Sequence, residues 1–92
     1  MAQQNFLIIQ GLIARKYEKT RKTKDGTDER FNSIVLEWED YNHYKKNISV
    51  DCKGLIAEEI GETVRAECYI SSFEKNKGNW FTKAFSNNIT KV

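Results

Sequence analysis

Two short stretches of the chain alternate without a fault. Ile48, Val50 and Cys52 interleave with Ser49, Asp51 and Lys53, and Val64, Ala66, Cys68 and Ile70 interleave with Arg65, Glu67, Tyr69 and Ser71. Successive side chains of a strand point to opposite faces, so each stretch reads as a strand with one buried and one solvated face. A chain of 92 residues has room for one core. The expectation is a single domain, 1–92, built from sheet.

The remaining elements follow from the same pattern and from its interruptions. Phe6 to Ala14 is an apolar stretch broken by Gly11, which predicts a bulge or a sharp bend in a long first strand. Asp25-Gly26 is a hairpin turn signal. A second strand is expected over Arg30 to Glu37, with Ile34 and Leu36 on one face and Ser33, Val35 and Glu37 on the other. A polar, aromatic-bearing loop, Trp38 to Lys46, leads to the third strand. From Gly54 to Glu62 the alternation stops, and Leu55, Ile56 and Ile60 are spaced for a short helical turn ending at Gly61. Glu74 to Asn79 reads as a turn, and the fifth strand runs from Trp80 to about Ile89 with a bulge near Ala84. Phe6 and Phe81 read as core. There is no proline, so Gly, Asn and Asp must make the turns. The expected fold is all-β: a five-stranded OB-fold Greek-key barrel with a short helix between strands 3 and 4. Other five-stranded barrels, the SH3-like ones, usually lack a helix at that point.

Charge is segregated along the chain. The formal net charge is only +2, yet Arg15 to Lys24 holds six basic residues against one acid, and Lys75 to Val92 holds four lysines and no acid. Such a chain can carry a positive face despite a balanced total. No apolar run approaches membrane-spanning length, and Met1 to Asn5 has no basic leader pattern. The expectation is a cytoplasmic protein with no membrane association. Cys52 and Cys68 then read as small buried thiols, although the sequence leaves a bridge between them open. Two cysteines and the lone His43 make no zinc site, so no metal and no cofactor is expected. Glu58 and Glu59 are adjacent and point apart, and no nucleotide loop, nucleophile elbow or Cys–His dyad is present. The protein is therefore not expected to be an enzyme.

Four stretches stand out in order and spacing: Ser33-Ile34-Val35-Leu36-Glu37, Ile48-Ser49-Val50-Asp51-Cys52-Lys53-Gly54, Gly61-Glu62-Thr63-Val64-Arg65-Ala66 and Asn76-Lys77-Gly78-Asn79-Trp80-Phe81-Thr82. In these the chain resembles a family of small, single-domain OB-fold proteins similar to single-stranded DNA-binding proteins of bacteria and their phages. The likeness runs in order and spacing from Gly11 to Ile89. It implies a nucleic-acid binder without catalysis.

The residues independently suggest the same partner. Single-stranded nucleic acid offers charged phosphates and exposed base faces, so a binder needs a basic groove and aromatic platforms. Three clusters interleave the two. Tyr17 lies among Arg15, Lys16, Lys19, Arg21, Lys22, Lys24 and Arg30; Trp38, Tyr41 and Tyr44 accompany Lys45, Lys46 and Lys53; Phe73, Trp80 and Phe85 accompany Lys75, Lys77 and Lys83. The expected function is largely sequence-independent binding of single-stranded DNA in replication, recombination or phage DNA metabolism, by a homo-oligomer, dimer or tetramer. RNA binding by the same face is the near alternative. A protein–protein adaptor using the aromatic loops is the alternative of another class.

Overall fold

The computed structural model describes residues 5–92, with the side chains of all of these except 5, 72–76 and 79–82. Five strands follow one another: β1 (Asn5–Lys22), β2 (Asp28–Glu39), β3 (Lys45–Cys52), β4 (Thr63–Asn76) and β5 (Asn79–Lys91). They close into a barrel in the order β1-β2-β3-β5-β4. β3 and β5 run parallel, and every other neighbouring pair is antiparallel. This is the five-stranded Greek-key barrel of an OB-fold.

Closure makes β1 serve two neighbours. Asn5 to Leu12 pair with β4, and Leu12 to Lys22 pair with β2. Gly11 stands at the crossing, where a Cβ would lie 2.9 Å from the Glu37 carbonyl oxygen. The bulge itself falls three residues later, where the register slips between Ile13 and Arg15 and leaves Ala14 unopposed. A one-residue slip exchanges the two faces of a strand. Before it, Ile9 and Ile13 face the interior. After it, Lys16 stands opposite buried Ile34, while Arg15, Tyr17, Lys19 and Arg21 take the outward positions.

The interior is narrow and is filled by branched and small groups: Ile9, Ile13, Ile34, Leu36, Val50, Val64, Ala66, Ala84 and both thiols. Trp38, Ile48, Ile56, Ile70 and Ile89 pack against this cluster, partly buried. Phe6, expected in the core, is instead 51% exposed and leans on Tyr69, ring centroids 5.4 Å apart. The side chain of Phe81 lies outside the described residues. Cys52 and Cys68 are free and flank Ser86 from its two sides. Two strand spacings amount to about 9–10 Å, beyond the roughly 7 Å that a disulfide spans. Burial pushes the Cys52 thiol up to about 12 and the Cys68 thiol upward as well.

The segment from 53 to 62 is irregular chain with bends at 53–54 and 57 and a turn at 60–61, not the expected short helix. Its polar backbone groups are claimed by β1 and β2. Lys16 Nζ donates to the carbonyls of Ile56 (3.1 Å) and Glu58 (2.9 Å), which a helix would have offered to the amides four residues on. Buried Asn32 does the rest. Its amide donates to the Gly54 carbonyl, its Oδ1 accepts from the Ile56 amide, and its Nδ2 donates to the Tyr17 carbonyl. Ile13 and the 61–62 pair exchange two further backbone bonds. Ile56 is thereby laid on the core, while Leu55 and Ile60 stay exposed.

The turns are tighter than the sequence suggests. Trp38, Lys45 and Lys46 belong to strands, and the reversal between β2 and β3 spans only residues 40–44. Asp40 organises it by accepting from the amides of Asn42 and Tyr44. Residues 77–78 alone turn β4 into β5, with Gly78 at φ 85°. The β5 irregularity falls between Ser86 and Asn88, not at Ala84.

Candidate nucleic-acid interface

The bulge at Ala14 decides which basic residues share a face. Arg15, Tyr17, Lys19 and Arg21 stand in register with Val35, Ser33, Phe31 and Glu29 on β2. Ser33 is in turn paired with Asp51 on β3, and Asp51 with Phe85 on β5. One row across the outside of the barrel therefore reads Tyr17, Ser33, Asp51, Phe85. Tyr17 is 45% exposed and its hydroxyl accepts a hydrogen bond from Arg15 Nη1, which holds the guanidinium pKa up. The Arg21 guanidinium covers buried Phe31 at 4.7 Å and reaches Glu29 at 3.5 Å.

Beside this row lies a groove of about 250 Å³ lined by Lys19, Ser33, Ser49, Asp51, Lys83 and Ala84. Lys19 comes from the β1–β2 arm and Lys83 from the β4–β5 arm, so both hairpins contribute a cation to one depression. Both lysines are exposed, and among the described residues neither is held in an ion pair. A larger hollow of about 530 Å³ lies at the end of the β1–β2 hairpin, among Asp25, Asp28 and Glu29. Its three carboxylates suit it poorly to phosphate. Hydrogen bonds from Thr23 and Thr27 hold the Asp25 carboxyl below its usual range.

Not every expected residue reaches this face. Lys16 turns inward to the carbonyls of 56 and 58, with Glu59 at 3.3 Å, and its side chain is 16% exposed. It serves the fold there. Trp38 likewise takes the inward position opposite Lys46 and packs on the core, so it is no free platform. Arg30 stands on the other side of the β1–β2 arm, paired with Glu18. Lys22 and Lys24 are exposed near the tip of that arm. Tyr41 and Tyr44 are 91% and 66% exposed on the 40–44 turn, among polar side chains that pair locally: Lys45 with Glu37, Lys46 with Asp40, and the His43 ring with Glu39 through a hydrogen bond. Lys53 is exposed just after β3, and Lys77 is exposed in the 77–78 turn. Phe85 is half-buried in the central row. The side chains of Phe73, Lys75 and Trp80 lie outside the described residues.

Arg15, expected with the basic cluster around Tyr17, lies on this face, and Ser33, Ser49 and Asp51 join it although the sequence did not single them out as contacts. The alternation had already marked these three as outward. What it lacked was the cross-strand register that gathers them.

Fold and surface together define a class: an OB-fold barrel with a basic and aromatic outer face. No family model and no curated protein matches the sequence. Among solved structures the chain is similar to a deletion variant of the single-stranded DNA-binding protein from Thermus aquaticus, with a TM-score of 0.59 at 15% identity. The likeness covers 100% of this chain and 52% of that one, so this chain spans about half the length of its neighbour. At this identity the comparison establishes the fold.

Proposed function

We propose that the protein binds single-stranded DNA across the outer face of β1, β2, β3 and β5, without catalysis. The observation that carries this reading is the groove in which Lys19 and Lys83, from two different hairpins, stand without an ion pair among the described residues beside the row Tyr17–Ser33–Asp51–Phe85. Two separated ammonium groups can each take a phosphate, while aromatic rings between them offer stacking surface for unpaired bases. Duplex DNA hides its base faces and would gain only the charge contacts. The single-stranded DNA-binding function of the Thermus neighbour supports the same reading. One barrel covers few nucleotides, so the protein acts as a homo-oligomer along a strand, in the cytoplasm, in replication, recombination or phage DNA metabolism.

Fluorescence anisotropy with labelled oligo-dT and a duplex of equal length tests it. The single strand should bind more tightly. Equal affinity for both, or no binding at micromolar protein, would overturn the proposal.

A further inference from the structure

The groove between the two lysines carries a group that repels phosphate. Asp51 is half-buried on the outer face of β3, opposite Ser33 and two residues from Ser49. Lys19 and Lys83 line the same groove, yet among the described residues the Asp51 carboxylate has no ion pair and no hydrogen bond. A surface that merely gathered phosphates would do better without it. Its neighbours in the row are a hydroxyl on one side and an aromatic ring on the other. Tyr17 and Phe85 thus bracket two polar groups across four strands.

Consider a single strand with phosphates on Lys19 and Lys83 and its bases turned to the barrel. Base edges, not phosphates, then arrive at Asp51. An ionised carboxylate only accepts hydrogen bonds, through two oxygens held side by side. Guanine presents two parallel donors, N1–H and the 2-amino group, that match those oxygens, and bidentate, charge-assisted pairs of this kind are strong and directional. Thymine has one N–H set between two carbonyl oxygens, both of which face the carboxylate unfavourably. The Ser33 and Ser49 hydroxyls can donate to guanine O6.

We infer that Asp51 is a specificity-determining residue that selects guanine over thymine at one position of the bound strand, an inference that rests on the proposed single-stranded DNA binding. It replaces indifference to sequence, which charge and stacking alone would give, with a preference for one base.

The test uses a short oligo-dT, the same oligonucleotide with one central guanine, and a third with inosine there, which keeps N1–H and lacks the amino group. Anisotropy should show guanine bound about fivefold or more tightly than thymine, a conservative share of a good bidentate base contact, with inosine between. Asp51→Asn should abolish the ranking and bind plain oligo-dT more tightly, since a negative charge leaves the groove. A thermal melt checks that the variant is folded, and Asp51→Ser serves as a second variant. Equal affinity of the wild type for all three, or a guanine preference that survives both substitutions, would overturn the assignment of Asp51 and leave the single-strand reading standing. Binding to none of the three would overturn both.

Discussion

Replacing Lys16 by methionine separates a residue that builds the barrel from one that touches DNA. Methionine keeps the aliphatic stem and deletes the ammonium group, which donates to the Ile56 and Glu58 carbonyls at 3.1 and 2.9 Å and meets Glu59 at 3.3 Å. Hydrogen bonds from a charged donor contribute about 1.5–3 kcal/mol each, and an ion pair to an exposed carboxylate about 0–1. The two carbonyls are partly buried and water can replace some of what is lost, so the net cost should be about 2–3 kcal/mol. For a domain of this size that corresponds to a fall in Tm of roughly 8–24 °C. Urea denaturation followed by circular dichroism measures it directly. Oligo-dT affinity, measured well below the lowered Tm, should stay within about twofold, because the ammonium group does not face the groove. Unchanged stability with weakened binding would refute the placement of Lys16 and restore it to the phosphate contacts.

Two further perturbations test the core. Trp38→Ala should cost about 2–3 kcal/mol of stability, less than the 3–5 of a fully buried tryptophan because Trp38 is only partly buried, and should leave oligo-dT binding unchanged. Lost binding with intact stability would make it a stacking platform. Cys52 and Cys68 should resist thiol reagents in the folded protein and react fully in denaturant. The Cys52 thiol keeps its proton up to about 12 in the folded state, whereas an unshifted thiol near 9.0 loses it earlier. The folded state therefore binds more protons above pH 9, so this contribution to stability is complete below that pH and declines as pH rises toward 12. Urea melts between pH 8 and 11 should show a shallower decline for Cys52→Ala than for the wild type.

Strand identity was legible in the sequence because alternation is a local property, and the residues expected for β2, β3 and β4 lie within those strands, save Lys53, which follows β3. Topology followed from strand number and spacing. Three features could not be read locally. The apolar spacing of Leu55, Ile56 and Ile60 suits a helix, but Lys16 and Asn32, far away in sequence, take the hydrogen bonds a helix needs. Gly11, the obvious breaker, predicts a bulge or a sharp bend, but its position is set by close approach to the Glu37 carbonyl and the register slip falls at Ala14. That displacement matters most for the site. It turns Lys16 inward and Arg15, Tyr17, Lys19 and Arg21 outward, so a count of positive charges in the segment overstates what reaches the face. Asp51 was visible as an outward residue of β3, but its importance depends on what stands beside it on β2 and β5.

The central claim is that Lys19 and Lys83 together hold the phosphates of one strand. Its most direct test is the salt dependence of oligo-dT binding for the wild type and for the double variant Lys19→Ala with Lys83→Ala. Each phosphate contact on a single strand contributes about 0.7 to the slope of log K against log salt concentration, so losing two should flatten it by about 1.4. The fold should persist, since both side chains are exposed and carry no ion pair among the described residues. A double variant that is folded and keeps the wild-type slope would contradict the account.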